Sequence, residues 1–296
     1  MENKNKPDFI QELIDSGKLN KSLNYKPEES FYIGNKRVGK DIVIIGGPCS
    51  VESEDMIIDA AFKIKEAGGD ALRAGAYKPC TYPVKSEVNG WKEGMQEKGL
   101  EFLKEAKKQS GLEIVSEIME PKQLEKAYDA IDIIQVGTRN FQNYSLLDEL
   151  SKQVKPVILK RGTWATVEEI FGAVERLLAN NLKKVIVCLR GVIGGPPYRH
   201  IYKSTRWQPD LMMIQALKDL NENIPLIYDP SHATGKRSFV KGISLASLVT
   251  GADGLIIEAH PDPKNSISDP DQAISFSEFK DIVKLSISAA SLKGNN

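Results

Sequence analysis

The chain has 296 residues, 41% apolar and 27% charged, with 40 Lys plus Arg against 40 Asp plus Glu. That length suits one α/β barrel or two ordinary domains, and the composition can bury a large core. The balanced charge argues against a nucleic-acid or membrane-surface partner. No apolar run approaches the ~18 residues of a membrane span, and the start MENKNKPDF lacks the apolar stretch of a secretory signal.

Residues 1–40 are polar and mixed. FIQELIDSG reads as a short helix, and FYIGNKRVG alternates around Gly34-Asn35 as a β-hairpin. From there short β-branched runs recur as strands: 42–45, 71–74, 113–117, 133–136, 156–160, 185–189, 225–229 and 254–259. Between them lie stretches of helical spacing, including EDMIIDAAFKIKEAG, KGLEFLKEAKKQSG, VEEIFGAVERLLANN and LASLVTGA. Thr166 and Glu169 make a capping box for the third of these. SEFKDIVKLSISAASLK supplies a last helix. Eight βα units on about 250 residues is the arithmetic of a closed (β/α)8 TIM barrel. The rival is an open doubly wound sheet, which the lack of Gly-x-Gly-x-x-Gly after the first strand disfavours. The expected organisation is an N-terminal extension with a hairpin over 1–40, capping the N-terminal end of a catalytic barrel over 41–296. Three cysteines, odd in number and far apart, favour free thiols in a reducing cytoplasm.

In a barrel, chemistry sits at the C-terminal strand ends. Read in order, these ends carry Cys49, Arg73 leading to Lys78, Glu117, Arg139-Asn140, Lys160-Arg161, Arg190, Asp229 leading to His232, and Glu258 with Asp269 in its loop. Cys49, His232, Glu258 and Asp269 form a thiolate, imidazole and carboxylate set. It suits a divalent first-row metal such as Mn, Fe, Co or Zn rather than a site dedicated to Mg or Ca. Arg73, Lys78, Arg139, Lys160 and Arg190 converge as cations in a neutral protein, which implies a small polyanion, most simply a phosphorylated carboxylate. Each residue alone has a bland reading: a packed thiol, a loop histidine, a helix-capping glutamate, solvated lysines. Four ligand types and five cations on one face are harder to explain that way.

GGPCSVES, LRAGAYKPCTYP, QVGTRNFQN, PVILKRG, RGV, DPSHATGKR, GADGLIIEAHPDP and SDPDQ together resemble the 3-deoxy-7-phosphoheptulonate (DAHP) synthases and the related 3-deoxy-octulosonate-8-phosphate synthases, from about residue 40 to 285. The resemblance implies a (β/α)8 barrel, a homodimer or homotetramer, that condenses phosphoenolpyruvate with a sugar-phosphate aldehyde and releases phosphate. It implies Cys49, His232, Glu258 and Asp269 as ligands of one divalent metal ion. Arg73, Lys78, Arg139, Lys160 and Arg190 would be the phosphoenolpyruvate cradle, with Glu117 nearby and Lys78 close to the reacting centre. Cys49, where some octulosonate enzymes carry Asn and need no metal, points to the metal-dependent type. Gly46 and Gly47 are expected to let the backbone turn sharply and approach the ligand.

Three features depart from the family. Its Lys-Pro-Arg-Thr is here Lys78-Pro79-Cys80-Thr81, followed by Tyr82. Leu189 replaces a Glu before Arg190. The loop GVIGGPPYRHIYKSTRWQPD is long and holds Arg199, His200, Lys203 and Arg206. The aldehyde pocket expected from Pro79, Cys80, Thr81, Asn140 and Arg206 is therefore its least family-like part. Erythrose 4-phosphate is the first-choice acceptor. The alternatives are arabinose 5-phosphate or a secondary-metabolite sugar, or else a noncatalytic anion-binding barrel. The first 40 residues look too short for the regulatory domain some relatives carry.

Overall fold

The computed structural model describes residues 8–79, 94–193 and 207–292. A two-stranded antiparallel hairpin, β1 (Tyr32–Ile33) and β2 (Lys36–Arg37), precedes eight parallel strands. These are β3 (Val43–Gly47), β4 (Ala71–Arg73), β5 (Glu113–Ile118), β6 (Ile133–Val136), β7 (Val157–Lys160), β8 (Val185–Leu189), β9 (Leu226–Tyr228) and β10 (Gly254–Glu258). They close into a barrel in chain order, β10 pairing β3. At least one helix follows each strand, as the alternation of apolar periods predicts.

The strand period of two explains how one barrel holds both a dry core and a polar mouth. Ile45, Ala71, Val115, Ile133, Ile158, Cys188, Ile227 and Ile256 belong to one buried apolar cluster inside the barrel. Two residues further along each strand stand Gly47, Arg73, Glu117, Gln135, Lys160, Arg190, Asp229 and Glu258. The same inward face thus changes from aliphatic to charged in one step of the pleat. Phe31, Ile33 and Val38 of the hairpin join the apolar layer and plug its lower end. The Gly34 N–H donates to Glu113 Oε2 at 2.7 Å, pinning the hairpin to the start of β5.

Helix ends carry local signals. Thr166 and Glu169 form the expected reciprocal capping box at the helix Val167–Leu177, and Ser275 and Glu278 form another at Phe276–Ser291. The helix expected over LASLVTGA is longer, Arg237–Thr250. Its first half mixes apolar Phe239, Val240 and Ile243 with Arg237, Lys241 and Gly242, and its buried positions Val240, Ser244, Ser247 and Leu248 keep a helical spacing that includes two serines. Small polar residues hide such a face from a hydrophobic pattern.

The expected role of the two glycines is corrected. Gly46 and Gly47 lie inside β3, not in a turn toward a ligand. A Cβ on Gly46 would come within 2.5 Å of the Phe279 ring and 2.6 Å of Ile64, so this glycine admits helices packed on the barrel's outer side. A Cβ on Gly47 would meet the Arg73 carbonyl at 2.3 Å, and its φ of +142° is left-handed territory. Both glycines serve barrel closure.

Candidate active site

Cys49 leaves the end of β3, and its position is held by backbone pairing with the next strand's exit: Gly75 N–H donates to Cys49 O at 3.2 Å, and Val51 N–H to Gly75 O at 3.0 Å. His232 sits in the short helix Pro230–Thr234 after β9, whose N-cap is Asp229. Glu258 ends β10, and Asp269 lies in the following loop at φ +55°, unusual for a side chain that is not glycine. Ligand atoms of these four residues all lie within 4.8 Å of one another. His232 Nε2 is 3.2 Å from Glu258 Oε1 and 3.8 Å from Asp269 Oδ2, and Cys49 Sγ is 3.4 Å from Asp269 Oδ2.

This geometry fits a cation. Nδ1 of His232 lies 2.8 Å from Asp229 Oδ2, and a carboxylate on that nitrogen commonly fixes a metal-binding imidazole. With the proton on Nδ1, the Nε2 lone pair faces two carboxylates and a sulfur, an arrangement that a positive ion between them resolves. Burial, then Asp229 and Glu258 acting in the opposite sense, leaves the His232 pKa below its ordinary value, which favours the neutral ring. Burial pushes the Cys49 thiol up to about 12, with Glu258 adding to the rise. A bound divalent cation would reverse that direction, since coordination deprotonates a thiol.

The cations pack against the same cluster. Arg73 NH1 is 3.1 Å from Glu258 Oε1, and Lys78 Nζ touches Cys49 Sγ. Lys160 pairs with Asp229, both almost fully buried. Arg190 donates to the His232 carbonyl at 3.0 Å and to Thr138 Oγ1 at 3.2 Å, and its guanidinium lies 5.5 Å from the Trp207 ring centre. Burial raises the Asp229 carboxyl, but His232 and Lys160 outweigh it and hold the group well below the usual range. Glu117 is buried, accepts from Gln135 Nε2 at 3.3 Å, and leaves Oε1 with no hydrogen-bond partner among the described residues. A Cβ on Gly137 would stand 1.9 Å from that oxygen, so the glycine of QVGTRN makes room for the carboxylate.

Comparison with known proteins decides the family. Residues 23–292 match the DAHP synthetase I family. The chain belongs to that family. It is 37% identical to the phospho-2-dehydro-3-deoxyheptonate aldolase of Thermotoga maritima over 265 residues, 89% of this chain and 75% of that one. It is 26% identical to the 2-dehydro-3-deoxyphosphooctonate aldolase of Francisella tularensis subsp. holarctica, over 86% of this chain and 93% of the other. A crystal structure of the Thermotoga maritima DAHP synthase superposes with a TM-score of 0.79 at 35% identity, covering 88% of this chain and 72% of that chain. The truncated form of the Thermotoga maritima enzyme gives 0.76 at 34%, with 88% and 91% covered. The protein is therefore an enzyme of the DAHP and octulosonate-phosphate synthase family, whose reaction is an aldol-type condensation of phosphoenolpyruvate with a sugar phosphate.

Most site residues expected of a family member meet in one buried volume: Cys49, Arg73, Lys78, Glu117, Lys160, Arg190, His232 and Glu258 are all buried, and Asp269 is partly so. Arg139 differs. It is exposed, on the turn Thr138–Asn140 beyond β6, and reaches the Pro79 carbonyl at 3.4 Å. Its place in the turn, past the inward-facing end of the strand, puts it at the rim instead of among the buried cations. Asn140 Oδ1 accepts from Asn143 Nδ2 at 3.1 Å. Cys80, Thr81, Tyr82, Arg199, His200, Lys203 and Arg206 lie outside the described residues. Sequence reasoning gave no role to two residues. Asp229 bridges Lys160 and His232, and Gln272 donates to Glu258 Oε2 at 2.5 Å. The signal for Asp229 was its strand parity, two past Ile227. The signal for Gln272 was its place in SDPDQ.

Proposed function

We propose that this chain is a metal-dependent DAHP synthase that condenses phosphoenolpyruvate with erythrose 4-phosphate and releases inorganic phosphate. The observation that carries the reading is the four-ligand cluster packed directly against buried Arg73 and Lys78. Cys49, His232, Glu258 and Asp269 would hold one divalent ion such as Mn, Fe, Co or Zn, which when bound supplies Lewis acidity toward the aldehyde oxygen. Arg73, Lys160 and Arg190 bind the phosphate and carboxylate of phosphoenolpyruvate and aim its C3 at the aldehyde carbon, with Arg139 at the rim. Carbon–carbon bond formation leaves positive charge at C2. Glu117 offers its buried Oε1 to orient the water that adds there. The tetrahedral phosphate hemiketal then expels phosphate by C–O cleavage. Lys78 holds a proton on Nζ for the new alkoxide: burial opposes its charge, but the Cys49 sulfur beside it keeps its pKa above the ordinary value.

The test is phosphate release from phosphoenolpyruvate by chelator-treated enzyme, with and without each metal, against erythrose 4-phosphate, arabinose 5-phosphate and a neutral aldose. Metal-restored turnover fastest with erythrose 4-phosphate is the expected result. Preference for arabinose 5-phosphate would move the chain to the octulosonate branch; Cys80, where the heptulosonate branch has Arg, matches the motif of neither branch. Full activity in excess chelator would remove the metal, and no release with any aldehyde would leave an anion-binding barrel. A cytoplasmic homodimer or homotetramer accompanies the reading, to be checked by light scattering and fractionation.

A further inference from the structure

Asp269 is the most exposed of the four candidate ligands, at 22% side-chain exposure, and the only one on a long loop. The base of that loop is held by the backbone: His260 N–H donates to Ile274 O and Ile274 N–H to Glu258 O, both at 2.9 Å. Toward Asp269 the backbone partner is replaced by one side-chain oxygen. Glu52 Oε1 accepts from the Ile267 N–H at 3.0 Å and from Ser266 Oγ at 3.4 Å, and His260 Nε2 lies 3.3 Å from the same oxygen. His260 is buried, and its Nδ1 accepts from the Asp262 N–H at 3.0 Å. That bond places the ring proton on Nε2, which lies close to Glu52 but has no aligned hydrogen-bond partner among the described residues.

The chain positions give this contact its meaning. Glu52 is three residues after Cys49, His260 is two after Glu258, and Ile267 is two before Asp269. One carboxylate oxygen therefore joins the three segments that carry three of the four ligands. Nothing in the chemistry proposed above uses Glu52 or His260. Without the Glu52 acceptor, the Ile267 N–H loses its partner, and the approach to Asp269, whose backbone is already at φ +55°, loses one anchor, while the Gln272 and Ala273 N–H groups still hold the Asp269 carbonyl from the other side.

We infer that Glu52 and His260 form a clamp that holds the Asp269 loop against the Cys49 segment and so sets how tightly the site retains its divalent ion. They are positioning residues, and the inference rests on the metal reading above. A carboxylate oxygen that accepts from a backbone amide and a hydroxyl, with the His260 ring nitrogen 3.3 Å away, ties together the segments that carry the candidate ligands, and loss of such supporting partners typically weakens metal binding about 10–100-fold.

The experiment measures metal affinity by chelator competition with Co(II) on the full-length protein and records the thiolate-to-Co(II) absorption, for wild type, Glu52→Ala, Glu52→Gln, His260→Ala and Ser266→Ala. Glu52→Ala is expected to weaken Co(II) binding about 10–100-fold. It should keep the thiolate band at saturation while changing the ligand-field bands that report Asp269. Glu52→Gln, which keeps an oxygen acceptor, should recover most of the affinity. This rescue distinguishes a clamp from simple loss of negative charge near the metal. Ser266→Ala should have the smallest effect, and His260→Ala should lie between it and Glu52→Ala. Hydrogen exchange should show faster opening of residues 262–270 in Glu52→Ala. If wild type binds no Co(II), the metal reading itself fails. If wild type binds and Glu52→Ala binds equally tightly, or if Glu52→Gln is as weak as Glu52→Ala, the clamp is overturned. Should Glu52→Ala not fold, His260→Ala decides: weaker Co(II) binding with faster exchange of residues 262–270 supports the clamp, and affinity and exchange equal to wild type overturn it.

Discussion

The two ends of this barrel are built from the same eight strands, yet they obey opposite rules. At the lower end Val43, Ile45, Val115, Ile158 and Ile256 pack with Phe31, Ile33 and Val38 of the hairpin in one apolar cluster. One pleat higher, Arg73, Lys160, Asp229 and Glu258 are buried as ions that partner one another. Aliphatic burial stabilises by removing apolar area from water, and its worth is spread over many contacts. Buried ions stabilise little in net, because desolvation consumes their attraction, but breaking one partner is costly. The lower end therefore sustains the fold, while the upper end gives up stability to hold a cluster of buried, mutually paired charges.

The sharpest way to break this comparison is to truncate one residue at each end. His232→Ala should lower kcat/KM by about a thousandfold or more, roughly 4 kcal/mol of barrier, with circular dichroism unchanged. Phe31→Ala, in the plug, should lose about 3–5 kcal/mol of unfolding free energy and leave kcat/KM of the folded fraction within about twofold. An inactive but fully stable Phe31→Ala would refute the division of labour.

A subtler probe makes the same isosteric change at both ends. Asp229→Asn leaves Lys160 buried without its counter-charge, and about 3–5 kcal/mol of stability should disappear in urea unfolding. Asp70 lies at the lower end, where its Oδ2 accepts from the Ile44 N–H at 2.7 Å and burial raises its pKa. Asparagine can make the same bond without a charge to desolvate. Asp70→Asn should therefore cost nothing and gain at most about 0.5 kcal/mol, because the carboxylate is partly solvated. Equal losses at the two positions would mean that the lower aspartate is needed as an ion.

Acid titration should show the smallest and most distributed effect. Asp229 and Glu258 have folded-state pKa values below their unfolded ones: burial opposes the charge of each, and His232 and the neighbouring cations outweigh it. Each contributes stability that is present above about pH 4–4.5 and is lost as pH falls through the folded value. Asp70 has the opposite sign, its contribution present below about pH 4 and lost as pH rises through its folded value. Stability should thus fall steadily below pH 4.5, and Asp229→Asn should flatten that fall while Asp70→Asn should not. An acid limb unchanged in Asp229→Asn would show that other carboxylates govern it.

Much of this was legible before any coordinates. The eight β-branched runs, the hairpin that plugs the barrel, and the Thr166–Glu169 capping box all follow from local pattern, because a pleat of two and a helical turn of 3.6 residues act over a few positions. That Cys49, His232, Glu258 and Asp269 meet was legible for the same reason, since strand ends in a barrel share a face. Asp229 was visible only as another strand-end acid. Its double engagement with Lys160 and His232 depends on a neighbour from β7. The sharp turn expected at Gly46 and Gly47 was misread, because both lie inside β3 and the groups that exclude a Cβ there are the Arg73 carbonyl and Phe279, the latter more than 230 residues away in the chain.

What the amino-acid order determined by itself is thus the kind and sequence of elements, the inward parity of each strand, and the chemical class of the mouth. The tertiary structure alone decided which of those groups touch. Cys49 and Asp269 come within 3.4 Å across 220 positions of sequence. Lys160 meets Asp229 across 69 positions. Arg139 falls at the rim while four other cations are buried. Periodicity sets the direction of a side chain relative to its own strand. Closure of the barrel sets its distance to residues on other strands, and that closure depends on packing summed over the whole molecule.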